Sequence, residues 1–198
     1  MSATRLLVLG VVRLHGRTYG YRVGRELLAW GAKEWANVKW GSIYHALRKL
    51  SAEGKLQELV AEGDEVVDRT SYEITPDGEA ELHRLVRRAL SHAGDDLALL
   101  SAGVTLMTVL PRAEAVAMLR ERLAGLGATS AELADHQSTD RGWDKPEHVR
   151  ELFGLWRHTV DAGAAWTREL IDALEAGRYT MADDAPDAFG APPGARRS

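Results

Sequence analysis

Residues 41–54 read GSIYHALRKLSAEG. Ile43, Leu47 and Leu50 are spaced i, i+4, i+7, which puts them in one stripe down a helix and leaves the rest of the surface to solvent. The spacing predicts a helix over about Ser42–Glu53, with Gly54 as the residue that ends it. The face opposite the stripe carries Ser42, His45, Arg48 and Lys49, and Lys39 and Trp40 lie just before it. It combines positive charge with hydrogen-bonding groups.

Upstream, residues 4–15 (TRLLVLGVVRLH) are apolar nearly all round. Such a segment is buried, and its length favours a helix over a strand, although its valines leave the strand open. Thr18 is a suitable N-cap for a second helix in which Tyr19, Val23, Leu27 and Trp30 form the apolar stripe and Gly31 the end. Residues 32–40 read as a connector or an extra turn. Downstream the period changes. Residues 55–62 and 66–74 read as two strands around Gly63-Asp64, a hairpin signal. Thr75-Pro76 then opens another helix, with Thr75 as N-cap and Pro76 in its first turn. Leu82, Leu85, Val86 and Leu90 form its apolar face.

Three helices, a hairpin and a further helix make a winged helix-turn-helix, expected over residues 1–92. In such a module the third helix enters the major groove, about 12 Å wide, while the second helix and the wing hold its register on phosphates.

From Asp95 onward the pattern is helical. Asp95 or Asp96 caps a run to Leu110. Pro111 breaks it and opens a second run that extends towards Gln137. A loop at 142–146 precedes a long helix to about Glu175. A helix over 146–175 is roughly 45 Å long, more than a small domain needs for its own core, so a partner surface is expected. Residues 93–180 are therefore assigned to helical dimerisation. Residues 181–198, rich in Ala, Pro, Gly and Asp, are expected to be a disordered tail. The expected fold class is mainly α with a small β-hairpin wing.

Composition agrees with a folded water-soluble chain. Of 198 residues, 45% are hydrophobic and 27% charged, and none is Cys. A thiolate nucleophile, a disulfide scaffold and a Cys-based zinc site are thereby excluded. The early apolar run contains Arg13 and is too short for a signal peptide or a span, so a cytoplasmic location without membrane attachment is expected. The net charge is −4, yet residues 1–57 hold ten Lys/Arg against three Asp/Glu, a net +7, leaving −11 on the remainder. A basic head on an acidic body suits a protein that meets a polyanion with one face.

The motifs Thr18-Tyr19-Gly20-Tyr21, Gly41 through Leu50, Gly54, and Ser71 through Gly78 together resemble the PadR family of bacterial transcriptional regulators. Ala165-Trp166, Leu170-Ile171 and Gly177-Arg178-Tyr179 are similar to the end of the helical C-terminal domain in its larger members. The resemblance covers roughly residues 5–180, and Trp40 departs from it where relatives carry Pro or a small residue. It implies a repressor that dimerises through its C-terminal helices on an inverted-repeat operator. It also implies, for some members, release by a small hydrophobic or phenolic effector.

The candidate DNA contacts are Tyr21, Lys39, Trp40, Ser42, Tyr44, His45, Arg48 and Lys49, with Arg69 and Thr70 on the returning wing strand. Arg48 suits guanine; Ser42 can donate at the helix start; Tyr21 and Tyr44 combine an apolar body with a hydroxyl tip. Tyr19, in the stripe of Val23 and Leu27, is expected to pack inward. The acidic wing tip, Glu62 to Asp68, is expected to stand clear of phosphate. Trp156 and Trp166 are candidates for an effector pocket, with core or dimer packing the competing role. The seven His show no metal-ligand spacing, so neither metal nor cofactor is expected. No nucleophile elbow, P-loop or dinucleotide fingerprint occurs, which argues against an enzyme. The competing class is a winged-helix module that binds protein rather than DNA.

Overall fold

The computed structural model describes residues 2–59, 70–137 and 146–190. The first helix, α1 (Ala3–His15), is buried along almost its whole length, so the helix reading of residues 4–15 holds. A short strand β1 (Thr18–Tyr19) leads into α2 (Gly20–Ala29), a single-turn α3 (Ala32–Ala36) and α4 (Trp40–Ala52). Strands β2 (Leu56–Leu59) and β3 (Ser71–Ile74) follow, then α5 (Pro76–Ser91).

Most local signals act as the sequence reading expects. Gly31 and Gly54 take positive φ of 69° and 67° just past α2 and α4, a conformation that glycine adopts without strain. The Thr75 hydroxyl accepts the Gly78 amide at 3.0 Å and donates to the Gly54 carbonyl at 2.7 Å. One side chain therefore caps α5 and ties it to the end of α4. Thr18 differs. It is not the cap of α2 but a strand residue, because the backbone of Thr18 and Tyr19 pairs antiparallel with Tyr72 and Ser71. The sheet order is β1-β3-β2, with Leu56 opposite Ile74 and Leu59 opposite Ser71. Tyr19 is exposed rather than packed inward. The expected wing tip, Glu62 to Asp68, lies outside the described residues.

Helix α6 (Leu97–Leu106) begins at Asp96, whose carboxylate accepts the Leu99 amide at 2.9 Å. A 3-10 turn (Met107–Val109) brings the chain to Pro111. Two long helices follow, α7 (Arg112–Gln137) and α8 (Arg150–Glu175).

The chain divides into two compact units. The first holds Met1–Leu90, Asp95–Arg112 and Thr180–Ser198; the second holds Ser91–Gly94 and Ala113–Tyr179. This differs from the expected boundary in two ways. Helix α6 belongs with the N-terminal head, because α1 has apolar groups on every side and α6 covers one of them. A Cβ on Gly10 would come within 2.5 Å of Leu106 Cδ2, so the two helices touch at that point. The segment after α8 also packs on the head. Met181 is fully buried, the Ala182 amide donates to the Leu110 carbonyl at 3.3 Å, and the Arg112 amide donates to Asp183 at 3.0 Å. Phe189 meets Trp30 edge-on at 6.2 Å, and the Arg13 guanidinium donates to the carbonyls of Phe189 and Gly190. Residues 181–190 are thus ordered onto the head, contrary to the expectation of a structureless tail from 181, while 191–198 lie outside the described residues. Composition suggested disorder because it registers few apolar residues, and two of them, Met181 and Phe189, suffice to seat the segment.

In the second unit α7 and α8 run antiparallel. Arg120 pairs with Glu175 at 2.6 Å, Ser130 donates to Asp161 at 2.6 Å, and His136 stacks on Phe153 at 5.5 Å. Among the described residues no helix is long and apolar enough to cross a membrane.

Two consequences are measurable. Met181→Ala should destabilise the protein by about 2–5 kcal/mol in urea unfolding, an effect that a loose tail would not produce. The second concerns acid. Burial pushes the Glu79 carboxyl up, but the His83 ring 3.4 Å away and the hydrogen bond from Arg13 at 2.7 Å outweigh it and leave it below the usual range. For Glu81 the bond from Arg84 outweighs burial, and Arg5 adds to it. Folded values below the unfolded ones, about 4.3, mean that this stabilisation is complete above that pH and is lost as pH falls through the folded values. The thermal midpoint should drop on acidification below about pH 4.5, and Glu79→Gln should flatten that drop.

Candidate nucleic-acid interface

The apolar stripe of α4 is seated as its spacing requires. Ile43, Leu47 and Leu50 are fully buried, and Ala46 nearly so. Burying these positions turns the opposite side outward, and Tyr44, His45, Arg48 and Lys49 are all exposed on it, with Lys39 and Trp40 exposed at its start. The structure brings these six together on one helix and its lead-in.

Their charges are unopposed. Among the described residues no carboxylate lies within ion-pair distance of Arg22, Arg25, Lys39, His45, Arg48 or Lys49. Other cations of the head are matched: Arg5 lies 2.6 Å from Glu53 and 3.1 Å from Glu81, Arg13 2.7 Å from Glu79, and Lys55 3.7 Å from Asp77, whereas Arg17, Lys33 and Arg88 have no carboxylate that close among the described residues. What sets the α2–α4 surface apart is that its cations without a carboxylate partner are clustered. Arg22 and Arg25, on the exposed side of α2, belong to this surface although the sequence reading did not single them out. Their i, i+3 spacing beside Tyr21 was the available signal. Arg25 donates to the Tyr21 hydroxyl at 3.3 Å.

Ser42 has a different job from the one expected. Its hydroxyl accepts the Lys39 amide at 3.0 Å and donates to the Lys39 carbonyl at 2.7 Å. The donor proposed for DNA is committed to the first turn of α4. Sequence alone cannot separate a serine that caps from one that donates outward, since both occur at helix starts.

An aromatic row joins α2 to α4. Tyr21 stacks on Trp40 at 5.7 Å and Trp40 on Tyr44 at 6.3 Å. The row fits because α2 presents Gly20 and Gly24 one turn apart: a Cβ on Gly20 would lie 2.7 Å from Tyr44 Cε1, and one on Gly24 2.0 Å from Trp40 Cζ3.

The wing strand borders the same surface. Tyr72 of β3 is nearly buried; burial and the Glu58 carboxylate raise its phenol above the usual value, with Arg48 opposing. Arg48 therefore stands close enough to the wing to feel it. Thr70 is half-buried just before β3, and Arg69 lies outside the described residues. Arg17 donates to the Ser71 hydroxyl at 2.9 Å at the base of the wing.

The two tryptophans named as effector-pocket candidates are at separate places on one helix. Trp156 and Trp166 lie on α8, both partly exposed, ten residues apart, a rise of about 15 Å. Trp156 meets Phe153 edge-on at 5.4 Å.

A three-stranded antiparallel sheet set against α1, α2 and α4, with α4 presenting a cationic face, defines a winged helix-turn-helix protein. Residues 8–84 match the PadR-like family of transcriptional regulators. The match covers the winged helix-turn-helix, and the chain carries a helical region beyond the matched segment. Among solved structures it is similar to Bacillus subtilis PadR in complex with operator DNA, at 19% identity and TM-score 0.38, over 86% of this chain and 98% of that one. It is also similar to Bacillus subtilis PadR in complex with p-coumaric acid, at 18% identity and TM-score 0.35, over 87% and 96%. A third is smu.1604c from Streptococcus mutans UA159, at 19% identity and TM-score 0.39, over 90% and 99%. No match was found among curated proteins.

Because its hydroxyl closes the helix start, Ser42→Ala should lower stability by about 1 kcal/mol in chemical unfolding. Its base preference in binding assays should stay that of the parent.

Proposed function

We propose that the protein is a repressor that binds an inverted-repeat operator as a homodimer in the cytoplasm, and that a small hydrophobic or phenolic effector releases it. The observation that carries this reading is the set of unopposed cations on and around α4. Unpaired positive charges on the exposed side of a buried helix repel one another and gain most from a polyanion, whose counterions they displace. Lys39, Lys49, Arg22 and Arg25, with the hydroxyls of Tyr21 and Tyr44, are assigned to phosphates. Arg48 and His45, further along α4, are assigned to base edges in the major groove. Arg69 and Thr70 are assigned to the backbone beside the wing.

The homodimer is supported by α8. Leu152, Leu155, Trp156 and Trp166 are exposed apolar residues whose spacing places them on one side of the helix. Such a row is a partner surface rather than a solvated one. A second copy meeting the first along it would arrange two heads for two half-sites. The effector reading follows from the resemblance to that family, and the partly exposed rings of Trp156 and Trp166 offer aromatic surface for such a ligand.

Selection of bound duplexes from a random library should return a palindromic site. Binding to it should weaken steeply as salt rises, by about 0.9 log units per log unit of salt for each phosphate contact. Salt-insensitive or absent duplex binding would instead indicate a module that docks on protein. Arg48→Ala should cost about 1–3 kcal/mol at one base position, and Lys49→Ala should weaken all sequences alike and lower the salt slope by about 1. Leu155→Glu should give a monomer in sedimentation.

A further inference from the structure

Trp40 is held in an unusual way. Its ring stacks with that of Tyr21 and with that of Tyr44, at interplanar angles of 12° and 25°. Its six-membered edge is pressed into α2 at Gly24: a Cβ there would meet Cζ3 at 2.0 Å, Cη2 at 2.5 Å and Cε3 at 2.7 Å. Those atoms lie across the ring from Nε1, so the seated edge is the one without the polar atom. The residue is nevertheless 37% exposed, and the pyrrole edge is not the one seated against Gly24.

The other two tryptophans of the head bond their indole N–H internally, Trp30 to Glu26 at 3.0 Å and Trp35 to the Trp30 carbonyl at 3.0 Å. Trp40 Nε1–H has no acceptor among the described residues. It is a donor on an exposed residue next to Lys39, on a ring that stacks with Tyr21 and Tyr44.

We infer that Trp40 donates its indole N–H to a DNA phosphate oxygen, and that Gly24 is the positioning residue that aims it. The inference rests on the reading of α4 as the helix that enters the groove. An indole N–H donates and cannot accept, so its partner is an acceptor, and phosphate oxygens at the rim of the groove are sequence-independent acceptors. The contact carries no charge. It therefore adds affinity equally for all sequences and releases no counterion, unlike the contacts of Lys39 and Lys49. Gly24 is required because any side chain at that position would displace the seated edge and turn the N–H away.

The test replaces Trp40 by benzothienylalanine, which keeps the bicyclic shape and exchanges N–H for sulfur. The dissociation constant should rise about tenfold, alike for the operator and a scrambled duplex, with the salt slope and the thermal midpoint unchanged. An unchanged dissociation constant overturns the inference, and so does a loss confined to the operator, which would make the contact a base contact. Gly24→Ala should also weaken binding in the parent and have no effect on binding in the Trp40→Ala background, because the residue acts only through that ring. Additive losses in the two backgrounds overturn the positioning role. If the unmodified protein binds no duplex, the underlying reading fails rather than this one.

Discussion

A helix with apolar groups on every side has to be covered on every side, and α1 imposes that demand on the rest of the head. Leu6, Leu7, Val8, Leu9, Val11 and Val12 are all inaccessible to solvent. Each fully buried aliphatic side chain contributes about 1.5–3 kcal/mol, so leaving any side of α1 open would be costly. Helices α2 and α4, strand β3 and helix α6 supply the cover. Once α4 gives Ile43, Leu47 and Leu50 to this core, its other face has nowhere to point but outward. The cationic surface is a consequence of the packing of α1.

Charge is then sorted by position. On the inner and lower parts of the head, cations meet carboxylates, and Arg13 is buried only because Glu79 and the carbonyls of Phe189 and Gly190 receive its protons. A buried guanidinium without such partners would cost several kcal/mol. On the α4 side the cations are exposed, at little desolvation cost, and have no carboxylate at ion-pair distance among the described residues. The same residue type thus holds the core together in one place and leaves charge at the surface in another, and burial decides which.

The second unit follows a different rule. Helices α7 and α8 bury only a narrow seam against each other, marked by Leu126 and Leu170, and α8 keeps a row of large apolar residues outside it. An antiparallel pair alone is a thin core for helices of this length. A further layer would complete it, which is the physical basis for reading this unit as the place where two copies meet.

Much of this was legible in the linear chain. The stripes of α4 and α5, the stops at Gly31 and Gly54, the cap at Thr75-Pro76, the cap at Asp96 and the break at Pro111 are all local. Each depends on spacing or on backbone preferences that a few neighbouring residues fix. The choice of cationic face on α4 was equally local, because the buried stripe defines its opposite. Tertiary contact decided what local preference leaves degenerate. Thr18 and Tyr19 suit a cap or a strand, and only the approach of β3, more than fifty residues on, makes them a strand. Ser42 suits two hydrogen bonds, and the turn at Lys39 takes both. Residues 181–190 have no periodicity, and the cleft beside Trp30 and Leu110 orders them. Trp40 and Gly24 are unremarkable apart, sixteen positions from each other, and become a ring in its socket only where α2 crosses α4. Helical periods and turn residues act over a few residues of chain, so the sequence carries them openly, whereas steric fit between distant segments exists only once the chain has folded.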